Sequence, residues 1–148
     1  MSWSHYFLPP FLAILCIGLS FFAGRYFGGN IPITTHWLGY VIIIMALFNI
    51  ARTIRMIRLN KTAVNTFKDP SHFIKTGPFK YSRNPIYLGL LMILIGFGLV
   101  MGSFSSFIGV IIFFIITDVW YIPFEEKRLG EIFGEEYIEY KSNVRRWL

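Results

Sequence analysis

Arg83, Asn84 and Pro85, followed by Tyr87 and Gly89, form a polar element inside the run GPFKYSRNPIYLG, residues 77–89. Some forty residues later stand two adjacent carboxylates, Glu125 and Glu126, and beyond them Phe133, Gly134, Glu135, Tyr137 and Tyr140. An Asn followed by a Pro is a good helix start, with Asn as N-cap and Pro at the first helical position, where its missing N–H costs nothing. A helix beginning at Pro85 turns its free backbone N–H groups and positive dipole end toward Arg83, and that combination favours an anion such as a carboxylate or phosphate. The two glutamates offer the opposite charge. Neighbouring helical residues point about 100° apart, so at least one carboxylate turns inward and needs a cation: Arg83, Arg52 or a charged ligand. Together the two elements suit a ligand that carries both charges.

Each half also has a plain structural explanation. Asn-Pro starts and glycines are common in membrane helices, and acids in the first turn of a helix are favoured by its dipole whatever their function. Asp118, about two turns before Glu125, is a further intramembrane acid that either joins the site or fixes a helix contact.

Both elements lie at the ends of long apolar runs, so the elements that position them are membrane helices. The chain is 55% hydrophobic and 19% aromatic with only 15% charged residues, above the roughly half-apolar usage of soluble domains. A bilayer core of about 30 Å needs about twenty helical residues, and candidate spans run over residues 7–23, 33–54, 85–101 and 104–122. No linker, repeat or low-complexity tract divides the chain, which predicts a single domain over residues 1–148. The first span has no basic region before it and no small-residue cleavage site after it, which predicts a retained helix rather than a signal peptide.

Charge orients this bundle. Arg52, Arg55, Arg58, Lys61, Lys68, Lys75, Lys80 and Arg83 cluster around the connection 55–84, opposed there by Asp69. Such an excess marks a cytoplasmic loop, so both termini are expected in the cytoplasm, with Arg25 and the uncharged turn at Gly102 and Ser103 outside. Trp3, Trp37, Trp120 and Trp147 lie near span ends or in the tail, as interfacial anchors do. The basic residues would also meet anionic lipid heads. The basicity does not point to nucleic acid, because it is concentrated against the membrane and no nucleic-acid module accompanies it. Cys16 is the single cysteine and sits in an apolar run, which excludes a disulfide framework or a cysteine metal site. After Glu126, Leu129, Ile132, Phe133, Tyr137, Tyr140, Val144 and Trp147 recur at helical spacing, with a break expected at Gly134. Such a stripe lies along the membrane surface or folds back over the mouth of the bundle.

The run GPFKYSRNPIYLG, followed in order by EEKRLGEIFGEEYIEYKSNVRR, resembles the isoprenylcysteine carboxyl methyltransferases and their phospholipid N-methyltransferase relatives, over residues 37–144. The resemblance implies an integral membrane enzyme that takes S-adenosylmethionine on the cytoplasmic side and a lipid-soluble small-molecule acceptor laterally from the bilayer. Carried over by residue, it implicates Arg83, Asn84 and Glu125 in catalysis. For cofactor binding it implicates Tyr81, Arg83, Asn84, Pro85, Tyr87, Gly89, Glu125, Glu126, Tyr137 and Tyr140, with Arg145 beside them and no metal. Where the eukaryotic prenylcysteine enzymes carry His after the Arg, this chain has Asn84, which hydrogen-bonds but does not titrate near neutrality. Ser71 aligns with a further histidine of those enzymes, and His72 beside it is expected at the loop surface. The acceptor is a carboxylate, a lipid amine or a hydrophobic thiol. With no histidine base in the two elements, the carboxylate or thiol is favoured over an ammonium that must first lose a proton.

The expected architecture is therefore all-α: an integral membrane four-helix bundle whose C-terminal segment 123–148 carries an amphipathic helix at the cytoplasmic surface, in the inner membrane of a prokaryote. A sterol-reductase-like enzyme using a nicotinamide cofactor is the alternative enzyme class, which the paired glutamates disfavour. A scaffold without catalysis is the other alternative.

Overall fold

The computed structural model describes residues 8–32, 35–60 and 73–148. Trp3, Phe7, Ile33, Lys61, Lys68, Asp69, Ser71 and His72 lie outside the described residues. The described elements are helices: α1 (Leu8–Tyr26), α2 (His36–Leu59), α3 (Pro85–Met101), α4 (Ile108–Ile116), α5 (Ile122–Phe133) and α6 (Glu135–Asn143). Short 3-10 turns at Gly77–Lys80 and Phe104–Phe107 precede α3 and α4.

The fold is an all-helical membrane bundle. Pro9–Tyr26, His36–Leu59 and Phe104–Phe133 are long and apolar enough to cross a bilayer, and Pro85–Met101 is a shorter apolar helix. At 17 residues, α3 is about 25 Å long, short of the roughly 30 Å hydrocarbon core. Large apolar side chains point outward from the bundle, among them Phe11, Ile14 and Phe21 of α1, Ile44 and Phe48 of α2, and Ile111 and Ile115 of α4. In lipid these outward side chains lose nothing by exposure, while the backbone groups are satisfied within each helix. The core between the helices is small and tight, built on Ala13, Cys16, Tyr87, Leu94, Phe113 and Ile122.

The closest pairing is α2 with α3, and glycine makes it possible. A Cβ placed on Gly39 would lie 2.5 Å from the Gly96 carbonyl oxygen, and one on Gly96 would lie 2.7 Å from that of Gly39. The two backbones therefore touch across the pair, the arrangement small residues allow in membrane helices. Nearer the other end, the Asn49 side chain of α2 donates to the Pro85 carbonyl of α3 at 2.8 Å, which pins the start of α3 in place.

Pro123 does not restart the chain as its sequence position suggests. A regular α-helix would press its ring against the carbonyl four residues back and lack one hydrogen bond there. Instead, residues Thr117–Tyr121 form a π turn in which the Ile122 N–H reaches back five residues to the Thr117 carbonyl. The helix widens ahead of the proline and continues into α5. It stops at Gly134, with φ 54° and ψ −126°, a conformation glycine reaches without a Cβ penalty. There the chain turns into α6.

The connections sort to two ends. At one end, Asn30 and Ser103 form a single antiparallel bridge, with Ile31 N–H donating to Gly102 O at 2.8 Å and Phe104 N–H to Gly29 O at 2.7 Å. At the other end, the 77–84 segment, α5, α6 and the residues after Asn143 come together and build a polar cluster.

Candidate active site

Asn84 occupies the N-cap of α3 and Pro85 the first helical position, as the sequence suggests, but the Asn84 side chain does not cap the helix. Its Nδ2 donates to the Arg146 carbonyl at 3.1 Å. Ser82 Oγ donates to the same carbonyl at 3.3 Å, and the Arg83 N–H donates to the Arg145 carbonyl at 3.0 Å. These three donors before α3 are thus occupied by the backbone after α6.

The Arg83 side chain turns inward. Its Nη2 lies 2.9 Å from Glu126 Oε1, with the two side chains only 10% and 5% exposed, and its Nη1 donates to the Lys141 carbonyl at 2.8 Å. Glu126 meets two further cations, Lys141 Nζ at 3.0 Å and Arg146 Nε at 3.3 Å. Arg146 also bridges to Asp118 Oδ1 at 3.1 Å, and the Trp147 indole donates to that same oxygen at 2.9 Å. Burial alone would weaken the charged form of Arg146, yet the hydrogen bonds and charges of Asp118 and Glu126 outweigh it and push the guanidinium further up. Among these groups Arg83, Lys141 and Arg146 stand against Glu126 and Asp118, leaving an excess of one positive charge. Arg83 Nε is buried without a hydrogen-bond partner, a costly condition for a charged donor that an anionic oxygen would relieve.

Glu125 points elsewhere. It is half-buried, and the buried Tyr87 of α3 donates its hydroxyl to Glu125 Oε1 at 3.0 Å. The tandem glutamates therefore divide: Glu126 faces the basic cluster and Glu125 faces α3, as the angular step between helical neighbours requires. Tyr137 and Tyr140 of α6 are buried, and Tyr140 donates to the Phe79 carbonyl at 2.6 Å. Burial pushes Tyr140 up to about 12 against the pull of the Arg83 charge, so the phenol stays a donor at working pH. The Phe73 ring stacks on Phe133 at 5.0 Å and meets Tyr140 edge-on at 5.0 Å. That aromatic group ties the segment before α3 to the bend at Gly134.

Of the residues singled out from the sequence, Arg83, Asn84, Pro85, Tyr87, Glu125, Glu126, Tyr137 and Tyr140 lie at this one end. Tyr81 is turned out to solvent, 67% exposed. Gly89 abuts Ile50 of α2, so its missing side chain serves the helix contact.

The family model for phospholipid methyltransferase matches residues 34–136. The chain belongs to the phospholipid methyltransferase family. It is 36% identical to the Saccharomyces cerevisiae protein-S-isoprenylcysteine O-methyltransferase over 113 residues, 72% of this chain and 46% of that enzyme. It is 27% identical to the methanethiol S-methyltransferase of Pseudomonas deceptionensis over 128 residues, 79% of this chain and 44% of that enzyme. An uncharacterized Haemophilus influenzae protein is 44% identical over 63 residues, 43% of this chain and the whole of that protein. The chain thus spans less than half the length of the two named enzymes. No solved structure matches.

Arg83, Tyr87, Glu125 and Glu126 all lie in the matched region, and the two elements meet through Arg83–Glu126 and Tyr87–Glu125. Sequence reasoning missed Asn49, Lys141 and Arg146 as site residues, and the family resemblance set Arg145 beside the site. The structure uses the Arg145 carbonyl and leaves its side chain exposed. Lys141 and Arg146 carried no distinguishing signal, because the basic residues of a tail beside a membrane usually read as lipid-surface anchors.

Proposed function

We propose that the protein is a methyltransferase that uses S-adenosylmethionine and acts on a membrane-soluble acceptor. The observation that carries the reading is the meeting of the two polar elements in one cluster, with Arg83 at 2.9 Å from Glu126 and Tyr87 at 3.0 Å from Glu125. Family membership and the likeness to an O-methyltransferase and an S-methyltransferase support the reaction class.

The residues present fit such a cofactor. The excess positive charge and the unpartnered Arg83 Nε suit a carboxylate. Glu126 is saturated by three cations, which leaves Glu125 as the carboxylate for an ammonium or for ribose hydroxyls. When bound, the cofactor supplies a methyl group on a sulfonium, which an acceptor displaces in line. The work left to the protein is to hold both partners at about 3 to 3.5 Å, aligned and away from water. Tyr87 fixes the Glu125 carboxylate for this purpose, and the tail after α6 covers the Arg83–Asn84 turn. The acceptor reaches the short helix α3 from the lipid, and its class is a carboxylate, lipid amine or hydrophobic thiol. The cytoplasmic face of a prokaryotic inner membrane is the proposed location.

Purified protein in detergent should retain labelled S-adenosylmethionine and pass label to a lipid-extractable product when offered prenylated thiol compounds, aminophospholipids or hydrophobic thiols. Protein that retains no labelled cofactor would defeat the proposal.

A further inference from the structure

Arg146 lies outside the family match, which ends at residue 136, yet it touches three segments of the candidate site. Its guanidinium spans Asp118 of the π turn and Glu126 of α5, with Nη1 also donating to the Asp118 carbonyl at 3.3 Å. Its own carbonyl receives Ser82 and Asn84 from the turn before α3. The residues on either side complete the strap: Arg145 O takes the Arg83 N–H, and Trp147 packs on Phe114 of α4 at 5.2 Å. The π turn has a purpose in this arrangement, since the extra residue per turn is common at functional sites and here Asp118 lies on it.

We propose that Arg146 is a positioning residue, holding Glu126 and the Arg83–Asn84 turn in register by bridging them to Asp118. This rests on the methyl-donor reading above. Glu126 alone would draw Arg83 and Lys141 in competing directions across its two oxygens. The planar guanidinium of Arg146 fixes the carboxylate plane by donating to both oxygens, at 3.3 and 3.4 Å, while its remaining nitrogen is held by Asp118. Arg83 is thereby set with its Nε free. A lysine at this position is a point charge and reaches one carboxylate at a time.

The test pairs a structural readout with a functional one in the full chain. Arg146→Ala should raise deuterium uptake at the Arg83 amide, because its acceptor strap is released. It should also weaken S-adenosylmethionine binding about tenfold, the loss of roughly one charged hydrogen bond, with KM for the donor rising more than kcat falls. Arg146→Lys should recover part of the affinity, and Asp118→Asn should shift binding in the same direction as Arg146→Ala by less. Uptake that rises with affinity unchanged would make the strap merely structural and overturn the proposal, as would an Arg146→Ala protein indistinguishable from wild type. Wild-type protein that binds no S-adenosylmethionine would instead refute the donor reading itself, and the positioning role with it.

Discussion

The two glutamates are neighbours in sequence with different surroundings, and substitution should separate them. Glu126 is 5% exposed and has three cationic partners. Removing its charge leaves Arg83 buried without its carboxylate, a change that costs about 3–5 kcal/mol when one partner of a buried pair is lost. Glu126→Gln should therefore lower the thermal unfolding midpoint in detergent. Glu125 accepts from the Tyr87 phenol at 3.0 Å, with the Arg128 charge nearby, so Glu125→Gln keeps a hydrogen-bond acceptor for Tyr87 and should unfold near the wild-type temperature. Its deficit should appear in calorimetry, as donor binding weakened by about tenfold or more, the worth of a charge-assisted hydrogen bond. Equal cofactor affinity in Glu125→Gln and wild type would remove Glu125 from the site. The sequence alone left open which glutamate turned inward, because adjacency on a helix sets the angle between two side chains and not the rotation of the helix. That rotation depends on contacts far along the chain, such as those of Arg146 and Lys141 with Glu126, which span 20 and 15 residues.

At the scale of elements, legibility followed local chemistry. The start of α3 was visible because Asn84 and Pro85 carry their own backbone instruction, and the stop at Gly134 because glycine tolerates what other residues do not. The junction of α4 and α5 was not visible: proline signals a break, and whether a helix breaks or widens depends on what packs around it. The α2–α3 contact was also hidden, since Gly39 and Gly96 look like any membrane glycines until the backbones are seen to meet. That contact predicts a contrast. Gly39→Val would place its Cβ 2.5 Å from the Gly96 carbonyl, driving the helices apart and loosening the Asn49–Pro85 bond that fixes the start of α3. Overpacking of this kind costs about 1–3 kcal/mol, readable as a lower unfolding midpoint together with weaker donor binding. A Cβ added to Gly18 of α1 would meet nothing within 4 Å, so Gly18→Ala should leave both unchanged. A Gly39→Val protein as stable as wild type would mean the helices do not meet there.

For the whole molecule, the two ends differ in charge. The connections 27–32 and 102–107 contain no charged residue. The opposite end gathers Arg83, Lys141, Arg146 and Glu126, and the basic residues Arg52, Arg55 and Arg58 close α2 toward it. Cations near a span end are retained on the cytoplasmic side, so the site end should face the cytoplasm and the Asn30–Ser103 bridge should face outward. The orientation matters for the proposed function, in which the donor is taken from the cytoplasm and the acceptor from the lipid beside the short helix α3. Cys16 is buried on α1 and is the single cysteine of the chain, so introduced cysteines can report topology with little background. In intact cells a membrane-impermeant maleimide should label Asn30→Cys directly and should label Lys80→Cys or Ser142→Cys only after the membrane is opened. All three positions are exposed, so failure to label reflects the membrane and not burial in the protein. Labelling of Lys80→Cys or Ser142→Cys in intact cells, with Asn30→Cys protected, would invert the bundle and place the cluster of Arg83, Glu126 and Arg146 away from any cytoplasmic methyl donor.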